Sequence, residues 1–475
     1  GSMLIYALLH LTGYEGMTIE QIRNFRQLGA CTAGHPEFGH AKGIETTTGP
    51  LGQGIANAVG MAMAERHMAA RYGDDLVNHH TYVIAGDGCL MEGVSHEAAS
   101  MAGHMKLGRL IVLFDDNSIS IDGSTDLSTS DDTSGRFEAY GWQVLSCDGH
   151  DMDAVSAAIS AAQADDRPSL ICCKTIIGLG APNKQGTSGV HGAPLGDAEI
   201  ALARETLGWP HPAFEIPTDI LAEWRAVGAQ GAAAHQSWQD RHAASKNQTA
   251  FDAAISNDFD KDVAAAVLAW KNQLASAPQK LATRVASQKA IEAILPACPT
   301  LLGGSADLTG SNNTRVADHT IFDHGNYSGT YIHYGVREHG MAAAMNGIAL
   351  HGGAIPYGGT FMVFTDYCRP SIRLSALMEQ RVIYVMTHDS IGLGEDGPTH
   401  QPVEHLAALR VMPNLFVFRP GDAVETAEAW QTALEAKSTP SILALSRQGL
   451  AQFRHGDMAE NKTTKGAYVA VDCPG

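Results

Sequence analysis

Short apolar runs alternate with glycine-rich loops and helical segments along the first half of the chain. Residues 81–85, 110–114, 143–147 and 170–177 form apolar runs, and this pattern predicts β-strands. The segment 57–70 is rich in Ala and Met and predicts a helix. Because strands alternate with helices, we expect a parallel sheet that is covered by helices.

The composition changes from about residue 219 to residue 280, where Ala, Gln, Lys, Asp and His dominate and helices with a connecting segment are predicted. A second alternating region begins near Leu281. Its predicted strands are at 354–357, 381–387, 415–418 and 441–446, with a helix at 340–350. The chain is therefore predicted to be an α/β protein with two domains of similar layout.

Two polar motifs each follow a predicted strand. Gly86-Asp87-Gly88 ends the first strand and Asn117 follows the second, with a segment long enough for one helix between them. A right-handed crossover places both motifs at the carboxyl ends of parallel strands, where α/β sheets bind ligands. Carboxylate and amide oxygens suit Mg²⁺ or Ca²⁺, and Gly88 lets the backbone approach a phosphate. The pair predicts a metal that bridges protein and diphosphate, although Gly-Asp-Gly alone also fits an ordinary turn.

Length and charge restrict the remaining possibilities. The 475 residues suffice for two or three domains, and the hydrophobic content of 44% is ordinary for a well-packed protein. The 32 basic and 51 acidic residues give a net charge of −19. This balance argues against a general surface for nucleic acid or anionic membranes. It is compatible with phosphorylated substrates, which need only a few local Arg and His side chains.

The eight cysteines form no Cys-x-x-Cys motif and no recognisable disulfide or zinc pattern, so a reducing cytoplasm is expected. No apolar run is long enough to span a membrane. The apolar segment 3–9 has no basic flank and no cleavage-like site, and we predict a buried helix there rather than a signal peptide.

The stretch 86–117 resembles the thiamin-diphosphate motif, and longer strings at 46–54, 191–196 and 394–402 resemble transketolase. The resemblance runs from Gly1 to about Cys473. It implies two thiamin-diphosphate-binding-type domains, each a mostly parallel sheet covered by helices. The implied boundaries are a diphosphate-binding domain at 1–247, a helical linker at 248–280, a pyrimidine-binding domain at 281–467 and the start of a further domain at 468–475.

The resemblance also implies an activity. A transketolase transfers a two-carbon ketol unit from a ketose phosphate of the xylulose 5-phosphate type to an aldose phosphate, in the pentose phosphate pathway. The unit is carried through a thiamin-diphosphate ylide and a dihydroxyethyl intermediate. The implied cofactors are thiamin diphosphate and Mg²⁺, for which Ca²⁺ or Mn²⁺ substitutes. The implied assembly is a cytoplasmic homodimer with shared active sites, with no nucleic-acid or membrane partner.

Family positions assign the cofactor site. The metal ligands would be Asp87, Asn117 and the backbone carbonyl of Ile119. Glu338 would share a proton with the pyrimidine N1′, although a Glu that opens a helix is more often a surface residue. The other cofactor residues would be Gly49, Leu51, Gly88, Glu92, Glu97, His191, Asp307, Phe361, Phe364 and Tyr367.

Gly49 and Leu51 belong to the glycine-rich loop at 46–54, which would pack against the diphosphate and thiazolium of the cofactor. The alternative is that this loop only caps a helix. The spacing of three between Phe361, Phe364 and Tyr367 would by itself favour a buried helix face. In the family the matching rings cage the aminopyrimidine. Glu92 and Glu97 match carboxylates that link the two cofactor sites of a dimer, whereas a solvated helix face is the alternative.

Substrate contacts form a second set. Three histidines lie in loops that contain Gly and Pro: His35, His191 and His400. They would move protons at the sugar hydroxyls. Together with Glu338 they would be the catalytic residues. Each alone would more often be a structural histidine. Asp396 matches the residue that contacts the C2 hydroxyl. The sugar-phosphate clamp would consist of Arg284, Ser311, His388 and Arg447, since Arg offers forked donors, although Arg447 alone fits a surface ion pair.

The chain also departs from the family pattern. The sequence is expected to lack an N-terminal segment that carries two family histidines, and a C-terminal domain. One alternative is therefore a cofactor-binding fragment with impaired catalysis. Another is a different enzyme of the same cofactor class: dihydroxyacetone synthase, deoxyxylulose-phosphate synthase or phosphoketolase.

Overall fold

The computed structural model describes residues 1–470, and the chain divides into two compact units. The first unit comprises residues 1–62 and 78–245, and the second comprises 63–77 and the chain from 246 onward. Residues 471–475, which include Cys473 and the end of the predicted segment 468–475, lie outside the described residues. No helix within residues 1–470 is both long enough and apolar enough to cross a bilayer.

The first unit combines four strands with a series of helices, and the division between the units falls inside α3. The helices are α1 (Ser2–Thr12), α2 (Ile19–Arg23), α3 (Gln53–Tyr72), α4 (Asp87–Met91), α5 (Gly93–His104), α6 (Thr133–Ala139), α7 (Met152–Gln163), α8 (Asp197–Thr206) and α9 (Thr218–Ala244). The strands are β1 (Thr81–Gly86), β2 (Leu110–Asp116), β3 (Gln143–Asp148) and β4 (Ser169–Lys174). Short 3₁₀ turns cover Thr125–Leu127 and Ser188–Val190.

The strands of this unit form one parallel sheet in the order β1-β2-β4-β3. Gly86 is opposite Asp115 in the β1–β2 register, which confirms that both polar motifs lie at the same edge of the sheet. The expectation of a single helix between β1 and β2 is wrong. The chain is extended at Glu92, with φ −63° and ψ 138°, and this break separates α4 from α5.

The N-terminal segment is helical as predicted, but only one side of α1 is buried. Tyr6 and Leu9 pack in a cluster with Met17 and Ile44. The other side faces outward, with Leu4 53% exposed, so the predicted buried helix is buried along one face.

The second unit contains the remaining elements. Its helices are α10 (Gln248–Ser256), α11 (Asp260–Ser276), α12 (Thr283–Ile294), α13 (Thr309–Asn312), α14 (Glu338–His351), α15 (Thr365–Leu377), α16 (His405–Arg410) and α17 (Ala423–Glu435). Its strands are β5 (Leu281–Ala282), β6 (Leu301–Ser305), β7 (Tyr331–His333), β8 (Ile355–Phe361), β9 (Ile383–Thr387), β10 (Phe416–Phe418), β11 (Ser441–Leu445) and β12 (Gly449–Leu450). Further 3₁₀ turns cover Leu295–Ala297, Met362–Phe364, Ile391–Leu393 and Thr463–Lys465.

Six of these strands form a parallel sheet in the order β10-β11-β9-β8-β6-β7, and β12 pairs with β5 in an antiparallel ribbon. The two parallel sheets confirm the predicted α/β class. The largest side chain in the core of this unit is Trp430 on α17, whose ring meets Tyr357 edge-on at 5.4 Å. Trp430 Nε1 also donates a hydrogen bond to Ser287 Oγ at 2.8 Å, so its one polar atom is satisfied.

The sequence pattern did not predict β6 because two of its five residues are glycines. A Cβ atom on Gly303 would lie 2.3 Å from the Tyr357 ring, and one on Gly304 would lie 2.3 Å from the Tyr334 ring. Only glycine therefore fits under these two buried tyrosines. The packing requirement that makes this strand possible also lowers its local β-propensity.

Candidate active site

The edge of the first sheet presents a carboxylate with an unmet polar atom. Asp87 opens α4 directly after β1, and its Oδ2 atom is buried without a hydrogen-bond partner among the described residues. Burial raises the pKa of Asp87 above its ordinary value, and the nearby Asp116 carboxylate raises it further. A partly buried carboxylate with one unpaired oxygen, among other acids, favours a bound cation.

Asn117 is oriented by neighbours at the same edge. Its Nδ2 donates to Asp115 Oδ2 at 3.2 Å, and the hydroxyl of Thr175 donates to the other Asp115 oxygen. The Asn117 Oδ1 atom accepts from the backbone N–H of Ile119 at 3.0 Å, which leaves that oxygen a second lone pair. Ser118, between them, has a positive φ of 59°. The donor set of carboxylate, amide and backbone oxygens fits a hard divalent cation.

Two glycines permit close contacts beside this edge. Gly49 has φ +120°, and a Cβ atom there would lie 2.9 Å from Cγ of His35. A Cβ atom on Gly88 would lie 3.1 Å from Cδ1 of Leu51. His35 therefore packs over the loop that carries Gly49, and Leu51 covers Gly88. The structure thus brings these four predicted residues together in two pairs.

The other predicted residues of this unit are more dispersed. Glu92 lies at the break between α4 and α5, and a Cβ atom on Gly52 would lie 2.8 Å from Glu92 Cβ, so Glu92 adjoins the same loop. Glu97 is half-buried on α5. His191 is exposed after the Ser188–Val190 turn, and the described contacts do not place it against Asp87 or Asn117.

In the second unit, three aromatic rings form a continuous stack. Phe361 ends β8, Phe364 lies in a 3₁₀ turn and Tyr367 lies on α15, so the spacing of three does not come from one helix. The Phe361 and Phe364 centroids are 6.1 Å apart at 11°, and the Phe364 and Tyr367 centroids are 5.5 Å apart at 6°. Tyr367 is 61% exposed, so the stack extends from the core to the surface. Its flat faces suit another planar ring.

A cationic group adjoins this stack. The His388 ring lies against Phe361 with centroids 3.7 Å apart, and the His400 ring meets Phe364 edge-on at 5.5 Å. Burial, together with the charge of the Arg284 guanidinium, lowers the pKa of His388 to about 4. Burial, with the charge of Arg447, also lowers the pKa of Arg284. Mutual repulsion between these groups favours an anion between them.

The four predicted clamp residues are brought together here. Arg284 donates to the backbone carbonyl of Ser311 at 2.6 Å, and its Nε atom is buried without a partner in the described part of the chain. Arg447 donates to the carbonyl of Leu393 at 3.1 Å and forms a two-point ion pair with the exposed Glu395. Both interpretations of Arg447, surface ion pair and anion contact, therefore fit its position.

Three predicted carboxylates belong to the same unit. Glu338 is the first residue of α14 and is only 9% exposed, which distinguishes it from a surface helix-opening residue. Asp307 is exposed after β6 in a left-handed conformation, with φ 63°. Asp396 is exposed in the 394–402 loop, close enough to affect the pKa of His388.

The sequence interpretation missed the residues that support these side chains. Asp115 and Thr175 orient Asn117, while Asn312 and Thr387 contact each other at 2.7 Å beside His388. Three of these residues, Asp115, Thr175 and Thr387, lie at or just beyond the carboxyl ends of parallel strands. Because α/β sheets bind ligands at that edge, their position after a predicted strand could have indicated them.

A separate acidic group surrounds His405. Its Nε2 atom lies 3.2 Å from Asp366 Oδ2, and its Nδ1 atom lies 3.8 Å from Glu404 Oε2. Because each ring nitrogen faces a different carboxylate, we interpret this group as a histidine held between two carboxylates rather than a three-ligand metal site.

Comparison with known proteins agrees with these features. The sequence profile described as "Transketolase, thiamine diphosphate binding domain" matches residues 1–264, and the profile described as "Transketolase, pyrimidine binding domain" matches residues 279–452. A transketolase from Cereibacter sphaeroides is 63% identical over 472 residues, which cover 99% of this chain and 72% of that relative. The chain belongs to the transketolase family.

Solved transketolase structures have the same fold. A transketolase from Leishmania mexicana has a TM-score of 0.94 at 44% identity, over 99% of this chain and 70% of that chain. A transketolase from Pichia stipitis in complex with sedoheptulose-7-phosphate has a TM-score of 0.92 at 42% identity, over 99% and 71%. As in transketolases, the cofactor of this chain is thiamin diphosphate with a divalent metal ion, and the reaction is the transfer of a ketol unit.

Proposed function

We propose that this chain transfers a two-carbon ketol unit from a ketose phosphate of the xylulose 5-phosphate type to an aldose phosphate, as a step of the pentose phosphate pathway. The observation that carries the proposal is the contact between His388 and Phe361 at 3.7 Å. It joins an aromatic stack suited to a planar ring with a cationic group suited to a phosphate. One unit therefore holds the features needed for both cofactor ring and sugar phosphate.

The metal would be Mg²⁺, held by Asp87, Asn117 and the carbonyl of Ile119. Support comes from the orphaned Oδ2 atom of Asp87 and from the free lone pair of Asn117 Oδ1. Gly49, Leu51 and Gly88 would pack against the diphosphate and thiazolium. Close backbone approach at the two glycines is consistent with that role.

Bound thiamin diphosphate supplies a carbon nucleophile and an electron sink for carbon–carbon cleavage. Glu338 would hold a proton on the pyrimidine ring nitrogen, and its burial excludes water from that contact. Phe361, Phe364 and Tyr367 would hold the pyrimidine ring. Asp307 would adjoin the cofactor.

The sugar would be bound by the second group of side chains. Arg284, Ser311, His388 and Arg447 would bind the phosphate, with Arg447 exchanging its partner Glu395 for the ligand. Asp396 would accept a hydrogen bond from the C2 hydroxyl of the sugar. His35, His191 and His400 would exchange protons with the sugar hydroxyls.

We further propose a homodimer in which the diphosphate half of one subunit and the pyrimidine half of the other share a site. Glu92 and Glu97 would link the two sites. The domain boundaries at 1–247, 248–280 and 281–467 and the cytoplasmic location also remain proposals, the latter supported by the cysteine spacing.

The test is a transfer assay with xylulose 5-phosphate and ribose 5-phosphate, in which sedoheptulose 7-phosphate is followed with thiamin diphosphate and Mg²⁺ present. We expect product from the 475-residue chain and a loss of about 10²–10⁴-fold in Glu338→Gln. Glu292→Gln, at an exposed ion pair with Lys289, is the matched control and should retain full rate.

Absence of product with the cofactor bound would contradict the proposal and favour the impaired-fragment alternative. Faster turnover with formaldehyde than with ribose 5-phosphate as acceptor would instead favour a dihydroxyacetone synthase.

A further inference from the structure

His388 is held rigidly beside the proposed phosphate site. It follows the last residue of β9 and has a left-handed backbone conformation, with φ 58°. Its side chain is only 3% exposed and stacks on Phe361 with an interplanar angle of 29°. The ring therefore has one defined orientation, and each of its two nitrogens has a distinct neighbourhood.

A chain of buried hydrogen bonds ends at the Nδ1 atom of this ring. Nδ1 lies 2.9 Å from Thr387 Oγ1, which lies 2.7 Å from Asn312 Oδ1. Asn312 Nδ2 donates to Ser305 Oγ at 3.3 Å, and Ser305 Oγ donates to the carbonyl of Gly359 at 3.2 Å. The Ser305, Asn312 and Thr387 side chains are all fully buried.

The direction of this chain is fixed by chemistry. Ser305 Oγ donates its single proton to the Gly359 carbonyl and accepts from the Leu308 backbone N–H and from Asn312 Nδ2. The amide oxygen of Asn312 then faces Thr387, which uses its own single proton there. Thr387 Oγ1 can therefore only accept from His388, and Nδ1 must carry a hydrogen.

A neutral imidazole has one N–H group, so the Nε2 atom of His388 carries a lone pair. The charged groups that act on this ring are Arg284 on α12, Arg447 after β11, and Asp389 and Asp396 on the following loops. Burial and Arg284 keep the pKa of His388 at about 4, so the ring is neutral near pH 7. A phosphate dianion also presents only lone pairs, and Nε2 cannot donate to it.

We propose that Asn312 and Thr387 are positioning residues that fix the Nδ1–H form of His388, so that a sugar phosphate binds this site together with one additional proton. This inference rests on the proposed function, which places the phosphate at Arg284, His388 and Arg447. The proton comes from solvent and is shared between Nε2 and a phosphate oxygen. No covalent bond forms or breaks.

The experiment is calorimetric binding of ribose 5-phosphate alone to the full chain, at about pH 8, where the phosphate is a dianion because its second pKa is about 6. Titrations in buffers of different ionisation enthalpy give the number of protons taken up. We expect about one proton per chain, and an affinity that rises about tenfold for each unit decrease of pH.

Thr387→Val removes the acceptor at Nδ1 and lets the ring present an Nε2–H group to the dianion, so proton uptake should fall to near zero. Thr387→Ser keeps the hydroxyl and should restore the uptake, which a merely structural role of Thr387 would not predict. If the Val variant does not fold, His388→Gln gives the second test. Its amide N–H can donate to the dianion without an added proton.

Two results would overturn the inference alone: ribose 5-phosphate that binds without proton uptake, or an uptake that persists in His388→Gln. A different result would overturn the proposed function beneath it. In that case ribose 5-phosphate would either fail to bind or bind with equal affinity to wild type, His388→Gln and Arg284→Ala.

Discussion

Two carboxylates, one in each unit, have opposite surroundings: Glu428 is fully buried and Asp87 is partly buried. Glu428 on α17 is fully buried and accepts from Lys271 at 2.7 Å and from both terminal nitrogens of Arg454 at 3.0 and 3.1 Å. It also accepts from the backbone and hydroxyl of Thr463. Asp87, in contrast, has a buried oxygen with no partner in the described chain and lies near other acids.

The difference separates a carboxylate satisfied by protein groups from one that keeps an oxygen available for a ligand. Burial would raise the pKa of Glu428, but hydrogen bonds from Arg454 and Lys271 outweigh it and hold the pKa below its ordinary value. Burial and Asp116 raise the pKa of Asp87. A satisfied carboxylate fastens α11, α17 and the segment near Thr463 together, whereas an unsatisfied one stays available for a cation.

The first prediction concerns cofactor binding, which should be lost altogether. Asp87→Asn should abolish the rise in Tm that thiamin diphosphate and Mg²⁺ produce together, a stabilisation of about 2.7 kcal/mol when ligand is at 100 times its Kd. The unliganded variant should be at least as stable as wild type, because a partly buried charge with one unpaired oxygen and acidic neighbours has been removed. Differential scanning fluorimetry measures both quantities.

The matched control for Asp87→Asn is Asp122→Asn, at an exposed carboxylate of the loop after β2. It should leave the ligand-dependent rise unchanged. A full rise in Asp87→Asn would remove that residue from the metal site.

Glu428→Gln should act on stability alone. It leaves Lys271 and Arg454 buried, at 2% and 4% exposure, without a balancing charge, and we expect a loss of about 3–5 kcal/mol in the free energy of unfolding. Urea denaturation measures this loss. Glu292→Gln breaks a surface ion pair and should cost less than about 1 kcal/mol. Equal losses in the two variants would show that the buried cluster contributes no more than a surface pair.

The two carboxylates should also respond to pH in opposite directions. Glu428 has a lowered pKa, so its stabilisation is present above the ordinary Glu value of about 4.3 and is lost as pH falls through the folded value. Asp87 has a raised pKa, so its protonated form is favoured in the unliganded fold, and its contribution to stability is lost as pH rises through the raised value.

Because a metal ion competes with the proton on Asp87, the Mg²⁺-dependent rise in Tm should decline on acidification before the fold itself loses the Glu428 contribution. Thermal scans with and without Mg²⁺ and cofactor across a pH series would show this order. A metal-dependent rise that persists down to acid unfolding would contradict the raised pKa of Asp87.

The smallest effect is expected at the neighbour of Asp87. Asp116→Asn removes one of the charges that raise the pKa of Asp87 and frees Lys174, which pairs with Asp116 at 2.5 Å. The pH midpoint of the Mg²⁺-dependent rise should move to a lower value. An upward movement would show that Asp116 assists metal binding directly.

Local patterns predicted most of the fold because each parallel strand is a short apolar run. All eight predicted strands correspond to strands of the structure, and the helices predicted at 57–70 and 340–350 correspond to α3 and α14. The pattern failed at the two-residue strands β5 and β12 and, within the parallel sheet, at β6 and β7. One is rich in glycine because it lies under Tyr334 and Tyr357, and the other has only three residues.

In the candidate site, too, some positions could be predicted from local pattern and others could not. Asp87 and Asn117 could be placed at one sheet edge because a strand–helix–strand crossover fixes where consecutive strand ends meet. The spacing of Phe361, Phe364 and Tyr367 could not show that a strand end, a turn and a helix would stack their rings. Their geometry depends on how β8 meets α15.

By itself, the sequence determined the parallel α/β class, the sheet edge at which the two polar motifs meet, and the family, since these depend on short-range pattern and on motifs that are continuous in the chain. Only the tertiary structure decided which charges are satisfied. The partners of Glu428 and of His388 come from distant segments, as in Lys271 with Glu428 and Asn312 with Thr387. Whether a buried polar atom finds a partner depends on packing between elements, and no local pattern records that outcome.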